Sequence, residues 1–155
     1  LTAVDSIAGN FLFVEVRTAL AATAHNWTVC TYLDQANVAS TLPSLTGNSG
    51  AIINRLDHPT GQWFAPLETG DTGIKALTQM QCSAAVATGA INFVIGHPLA
   101  WIAHPLANQV MVMDNINTAF NLVRVLDDAA LAFLEPTKAA TTATTYNGQL
   151  TLVSG

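Results

Sequence analysis

Charged side chains are unusually scarce in this chain: they make up 10% of its 155 residues, against about a quarter in ordinary soluble domains. Arg17, Arg55, Lys75, Arg124 and Lys138 are dispersed and are outnumbered by ten Asp and Glu, giving a net charge of −5. Scattered cations under net negative charge exclude the basic patch that duplex nucleic acid requires. Cysteine is rarer still. Cys30 and Cys82 form no CxxC and have no third metal ligand beside them. That spacing leaves two buried free thiols as the first reading and a single disulfide as the second. Free thiols imply a reducing compartment during folding. Uninterrupted apolar runs are also missing. The longest weakly charged stretch, residues 82–113, is broken by Gly89, Gly96, Pro98 and Pro105 and carries Asn92, His97, His104 and Asn108. It therefore fails as a membrane-spanning helix. The first residues show no basic n-region leading into an apolar core, so no signal peptide is expected here.

Apolar side chains are abundant instead, at 50% of the sequence. With so few charges, the exterior must be built from Ala, Thr, Ser, Asn and Gln, with additional apolar area left over. Exposed apolar area of that kind marks partner contacts. The length suits one domain that buries roughly two thirds of its unfolded surface. Residues 1–10 end in Gly9-Asn10 and read as an arm, and residues 11–155 read as the domain.

Period-two patterning dominates the domain. Residues 11–17 (FLFVEVR) place Leu12, Val14 and Val16 on one face. Residues 27–33 (WTVCTYL) combine aromatic and β-branched side chains, the composition of a strand. Residues 34–50 hold Pro43, Gly47, Asn48 and Gly50 among Ser and Thr and read as loop. After the short apolar piece at 51–56, Asp57-His58-Pro59-Thr60-Gly61 reads as a turn. Residues 62–67 read as a further strand, and residues 74–84 as a strand with one half-polar face. Residues 87–89 then join that strand to one at 90–95 as a hairpin. Strands are also expected at 109–113, 118–126, 129–134 and 149–153, although a helix over 117–135 fits the apolar spacing too. Eight to ten short strands at this cadence predict an all-β fold, an antiparallel β-sandwich of jelly-roll-like form with an N-terminal arm.

Candidate chemistry is thin. His25, His58, His97 and His104 invite a metal test, but His97 and His104 are seven apart, which on an extended chain puts them on opposite faces. Three of the four precede proline, which favours loop or turn geometry. Asp127-Asp128 and the pair Glu68 and Asp71 sit in turn-like sequences, where carboxylates cap backbone N–H groups. Glycoside hydrolysis instead needs two carboxyls converging across a cleft. No GxSxG elbow is present. Trp27, Trp63 and Trp101 read first as core and second as a sugar-stacking groove, and the sequon Asn26-Trp27-Thr28 reads as chance. No catalytic residue, metal site or cofactor is expected, and the chain is not expected to be an enzyme.

The strings Gly73-Ile74-Lys75-Ala76-Leu77, Gln81-Cys82-Ser83-Ala84, Thr88-Gly89, FVIGHPLAWI at 93–102, Asp128-Ala129-Ala130-Leu131-Ala132-Phe133-Leu134 and the terminal GQLTLVSG carry a resemblance. Together they resemble small structural proteins of tailed bacteriophages, most of all capsid decoration or cement proteins. The resemblance implies a β-rich virion protein on the capsid surface, made in the host bacterial cytoplasm. It implies the major capsid protein and copies of itself as partners, commonly as trimers, with no nucleic acid, membrane or cofactor. The expected contact residues are Leu1, Val4 and Ile7 of the arm and His97, Leu99, Trp101, His104 and Leu106 of the following loop. A carbohydrate- or receptor-binding sandwich and a tail-tube or connector subunit are the alternatives.

Overall fold

The computed structural model describes residues 7–58, 62–102, 110–113, 125 and 130–133. Among them there are six strands and no helix: β1 (Phe11–Thr18), β2 (Asn26–Asp34), β3 (Ala39–Thr41), β4 (Leu45–Thr46), β5 (Ile74–Cys82) and β6 (Ala90–Gly96). Every pairing between them is antiparallel. β1 and β6 form one sheet, running from Phe11↔Gly96 to Thr18↔Ala90. β2 is the hub of the other, with β3 and then β4 along one edge and β5 along the opposite edge.

The expected face of β1 is the buried one: Leu12, Val14 and Val16 are fully enclosed. Its second face is covered as well, because Phe64 stacks on Phe11 at 4.0 Å and meets Phe13 edge-on. In β2 the register shifts between Trp27 and Val29. This irregularity lets Trp27 and Cys30, three residues apart, both turn inward beside Tyr32. One core joins Leu12 and Val14 of β1, Trp27, Cys30 and Tyr32 of β2, and Ile74 of β5, closed by Leu42, Leu45 and Ala65. Each such large side chain contributes about 1.5–3 kcal/mol through burial. The enclosed Tyr32 hydroxyl is not stranded: it donates to Asp71 Oδ2 and accepts from the Glu68 amide at 3.0 Å.

Four expectations are corrected. β5 and β6 are not a hairpin: β5 pairs with β2 and β6 with β1, so residues 83–89 cross from one sheet to the other. The crossing is fixed by the Ala21 amide on the Thr88 carbonyl and by Gly89, whose φ of +123° suits glycine and where a Cβ would fall 2.4 Å from Leu20 Cδ2. Residues 34–50 are not all loop. Asp34 Oδ1 accepts from the amides of Ala36 and Val38, and Asn37 at φ 64° closes a tight turn that lays β3 back on β2. Residues 62–67 are not a strand. Pro66 removes a donor, and Ala65 N→Leu12 O is the bond that holds this segment along β1. Residues 110–113 and 130–133 are not strands either. Val110 and Val112 are 89% and 84% exposed, so no face of 110–113 is covered, and Leu131 and Phe133 are exposed. The expected strands at 118–126 and 149–153 lie outside the described residues, Val125 apart, which is not in a strand.

Residues 7–10 of the expected arm pack against their own chain. The Gly9 amide donates to Thr72 O at 2.7 Å, and the Ile74 amide donates to Asn10 O at 3.0 Å. Gly73 is what permits this approach, since a Cβ there would lie 1.9 Å from the Ile7 carbonyl oxygen. Gly73→Ala is therefore expected to cost about 1–3 kcal/mol by pushing the Ile7–Asn10 turn off β5. Urea denaturation reads the cost, and faster proteolytic clipping near residue 7 reads the release; unchanged clipping would contradict the packing.

Candidate functional site

Two features stand out above the fold: a set of exposed apolar side chains and a polar cluster buried beneath the first residues of β2. The exposed set includes Phe93 and Ile95 of β6, both part-exposed, and Trp101 (65% exposed) and Ile102 after it. Trp63 lies against Trp101, with ring centres 5.9 Å apart and planes at 61°. Val110, Met111, Val112 and Met113 extend the exposed apolar series.

Of the expected contact residues, His97 and Trp101 are exposed, Ile7 and Leu99 are half-buried, and Leu1, Val4, His104 and Leu106 lie outside the described residues. The fold brings two of the expected segments together. His97 Nδ1 is 3.2 Å from Asn10 Oδ1, and the His97 ring sits over Gly9, where a Cβ would meet it at 2.7 Å. The arm's last residues and the loop after β6 thus share one corner of the molecule.

Asp57 organises the buried cluster. It is fully enclosed, and its carboxylate accepts from His25 Nε2 at 2.9 Å, Trp27 Nε1 at 2.9 Å and the Asn48 amide. His25 Nδ1 lies 2.9 Å from the Thr23 carbonyl. Gly47 covers the ring so closely that a Cβ would fall 2.2 Å from His25 Nε2. Burial opposes the charge on His25, but the Thr23 and Asp57 hydrogen bonds and the Asp57 charge outweigh it, and its pKa is raised. His58, the next residue along from Asp57, does the opposite job. Its Nε2 accepts from the Val14 amide at 2.9 Å, while Nδ1 is buried with no partner. Burial, only partly offset by the Asp57 charge, lowers its pKa to about 4.

His25 and Trp27 also form one wall of a cleft of about 150 Å³, whose other walls include Leu20, Cys82, Val86 and Ile91. The chemistry open to this site is limited by its own hydrogen bonds. Both His25 nitrogens are occupied within the protein, so the ring has no free position from which to take a proton from a substrate. Burial pushes the Cys30 thiol up to about 12, which keeps it protonated and unreactive. Cys30 and Cys82 are both free. Among the described residues no group of three or more His, Cys, Asp or Glu is arranged to hold a metal ion.

Sequence reasoning read Asp57 and His58 as turn residues and missed the cluster. The carboxylates that did draw attention do local work. Asp71 accepts from Tyr32, and Glu68 Oε2 accepts from the Thr41 amide at 3.0 Å. One signal was present: an Asp-His pair directly after an apolar piece, with another His flanking a Trp-led strand. Compared with known proteins, the chain matches no family model, no curated protein and no solved structure.

Proposed function

We propose that the chain is a structural virion protein that binds and stabilises a phage capsid shell, as a decoration or cement protein. Its partners are the major capsid protein and copies of itself, arranged as trimers. The observation that carries the reading is the number of exposed apolar side chains, Phe93, Ile95, Trp101, Ile102 and Val110 to Met113 among them, in a chain with little charge. The buried polar groups support it from the other side, since the His25 and Asp57 contacts serve the fold rather than a substrate. The two antiparallel sheets are read as the faces of a jelly-roll-like sandwich. In support, Leu12 and Val14 share a core with Trp27 and Tyr32, and Phe93 of β6 meets Trp27 of β2 edge-on at 5.4 Å.

Each capsid contact draws on apolar burial at about 25 cal/mol per Å², less the cost of ordering loops, and many copies add through multivalency. The test is electron microscopy of capsids from the encoding virus after incubation with the purified chain. Saturable density at repeated surface positions is expected. Deleting residues 1–6, which leaves the Gly9 and Asn10 bonds intact, is expected to lower occupancy sharply. Bare capsids, together with a chain that stays monomeric on sedimentation, would refute the reading.

Trp63 and Trp101 favour a second reading, a carbohydrate-binding module, because two exposed indoles adjoin. Their 61° angle offers two separate faces rather than one flat platform. Glycan binding that disappears in Trp101→Ala would favour this alternative.

A further inference from the structure

His25 has two acceptors and no donor around its ring nitrogens. The Thr23 carbonyl oxygen, 2.9 Å from Nδ1, can only accept, and Asp57 Oδ2 lies 2.9 Å from Nε2. A neutral imidazole carries one N–H and can satisfy only one of them. Serving both requires a second proton in the pair. That proton belongs on the ring, because both Asp57 oxygens already accept N–H bonds, Oδ2 from the Trp27 indole and Oδ1 from the Asn48 amide.

We infer that His25 is a protonation latch: as an imidazolium it ties residues 47–58 to the head of β2, and loss of its proton as the pH rises loosens that segment. The segment is joined there by three ties, namely the His25–Asp57 ion pair, the Asn48 amide on Asp57 Oδ1 and the Gly47 amide on the His25 carbonyl. Deprotonation removes the charge from the first and leaves one of the two acceptors, Thr23 O or Asp57 Oδ2, without a donor. It also frees one wall of the adjoining cleft.

The groups facing His25 are few. Asp57 faces it from residues 54–58, and the Trp27 ring meets it edge-on from β2 at 6.0 Å. The Gly47 backbone presses on it after β4, and Cys82 of β5 lines the same cleft. His58 neighbours Asp57 in sequence and is kept neutral by burial, and Arg55 is buried on the same segment. Asp57 is therefore the acid in contact with the ring, and it adds to the upward pull of the Thr23 carbonyl. Consistent with this, burial is outweighed by the Thr23 and Asp57 hydrogen bonds and by the Asp57 charge, leaving the His25 pKa raised.

The test uses the full chain labelled with 15N. Imidazole 15N–1H correlations are followed from acidic to alkaline pH, alongside hydrogen exchange at the Asn48 amide corrected for its intrinsic rate. One histidine is expected to keep both ring nitrogens protonated beyond the ordinary value of 6.5. Asn48 protection should fall across the same step, by about tenfold for each pH unit that the step lies above the ordinary value. Asp57→Asn should move the step down into or below the ordinary range. If that variant does not fold, the wild-type titration decides alone. A neutral His25 tautomer at pH 6, or Asn48 protection indifferent to the histidine step, would overturn the latch.

Discussion

Asp57→Ala is expected to lower the free energy of unfolding by about 3–5 kcal/mol, the usual cost of removing one member of a buried ion pair. The value is large because one carboxylate serves three donors: the His25 ring, the Trp27 indole and the Asn48 amide. Alanine leaves an enclosed cation without its counter-charge and two N–H groups without acceptors, and Gly47 packs too tightly on His25 for water to enter easily. Asp57→Asn preserves the shape and one acceptor oxygen, so it should lose less. The contrast is Glu15→Ala, whose contact with Asn92 Nδ2 is exposed, and which should change stability by less than about 0.5 kcal/mol. Urea unfolding of the three variants measures the series. An Asp57→Ala protein within 1 kcal/mol of wild type would show that the cluster does not hold the segment.

Acidification should destabilise the fold through His58, by on the order of 3 kcal/mol once pH 4 is reached. His58 is kept neutral in the folded chain, with its pKa lowered from 6.5 to about 4. The unfolded chain takes up a proton near the ordinary value while the folded one does not, so stability is full above 6.5 and is lost as pH falls toward 4. Protonation also ends the role of Nε2 as acceptor for the Val14 amide on β1. His25 acts in the other half of the scale. Its raised pKa gives stability that is complete below 6.5 and is lost as pH rises through its folded value. The two histidines therefore titrate in separate windows, and their joint effect is a stability maximum near 6.5. Unfolding free energies at half-unit steps should trace that dome. His58→Gln should flatten its acid side between 6.5 and 5 while leaving its alkaline side in place.

The parts of the fold legible in the sequence were those whose signal is local. β1, β2, β5 and β6 appear where alternation and β-branched or aromatic content foretold strands. Pairing was a different matter. Residues 87–89 look like a hairpin turn because small residues and a glycine serve equally well for a crossing between sheets, and only the partner strands decide. β3 and β4 were hidden in a Ser/Thr/Pro-rich stretch because their placement depends on the Asp34 turn and on the edge of β2, neither of which shows in residues 39–46 themselves. The buried cluster was illegible for the same reason. Thr23 and His25 precede β2, Trp27 lies in it, and Asn48 and Asp57 follow β4, so the cluster meets only through the fold. The exposed apolar set, by contrast, follows directly from composition, since too few charges were available to cover the surface.

The pairing of β1 with β6 also sets the order of events on the ribosome. Phe11 pairs opposite Gly96, so one edge of β1 waits some 80 residues for its partner strand, although residues 54–57 and Ala65 bond its backbone sooner. At about 5–20 residues per second that wait is on the order of ten seconds. Throughout it the edge of β1 that β6 will pair offers unbonded N–H and C=O groups, whereas β2 can already gather β3, β4 and then β5 around itself. A nascent chain of this design is most prone to aggregate before its sixth strand emerges, which makes the first strand a natural handle for a holding chaperone.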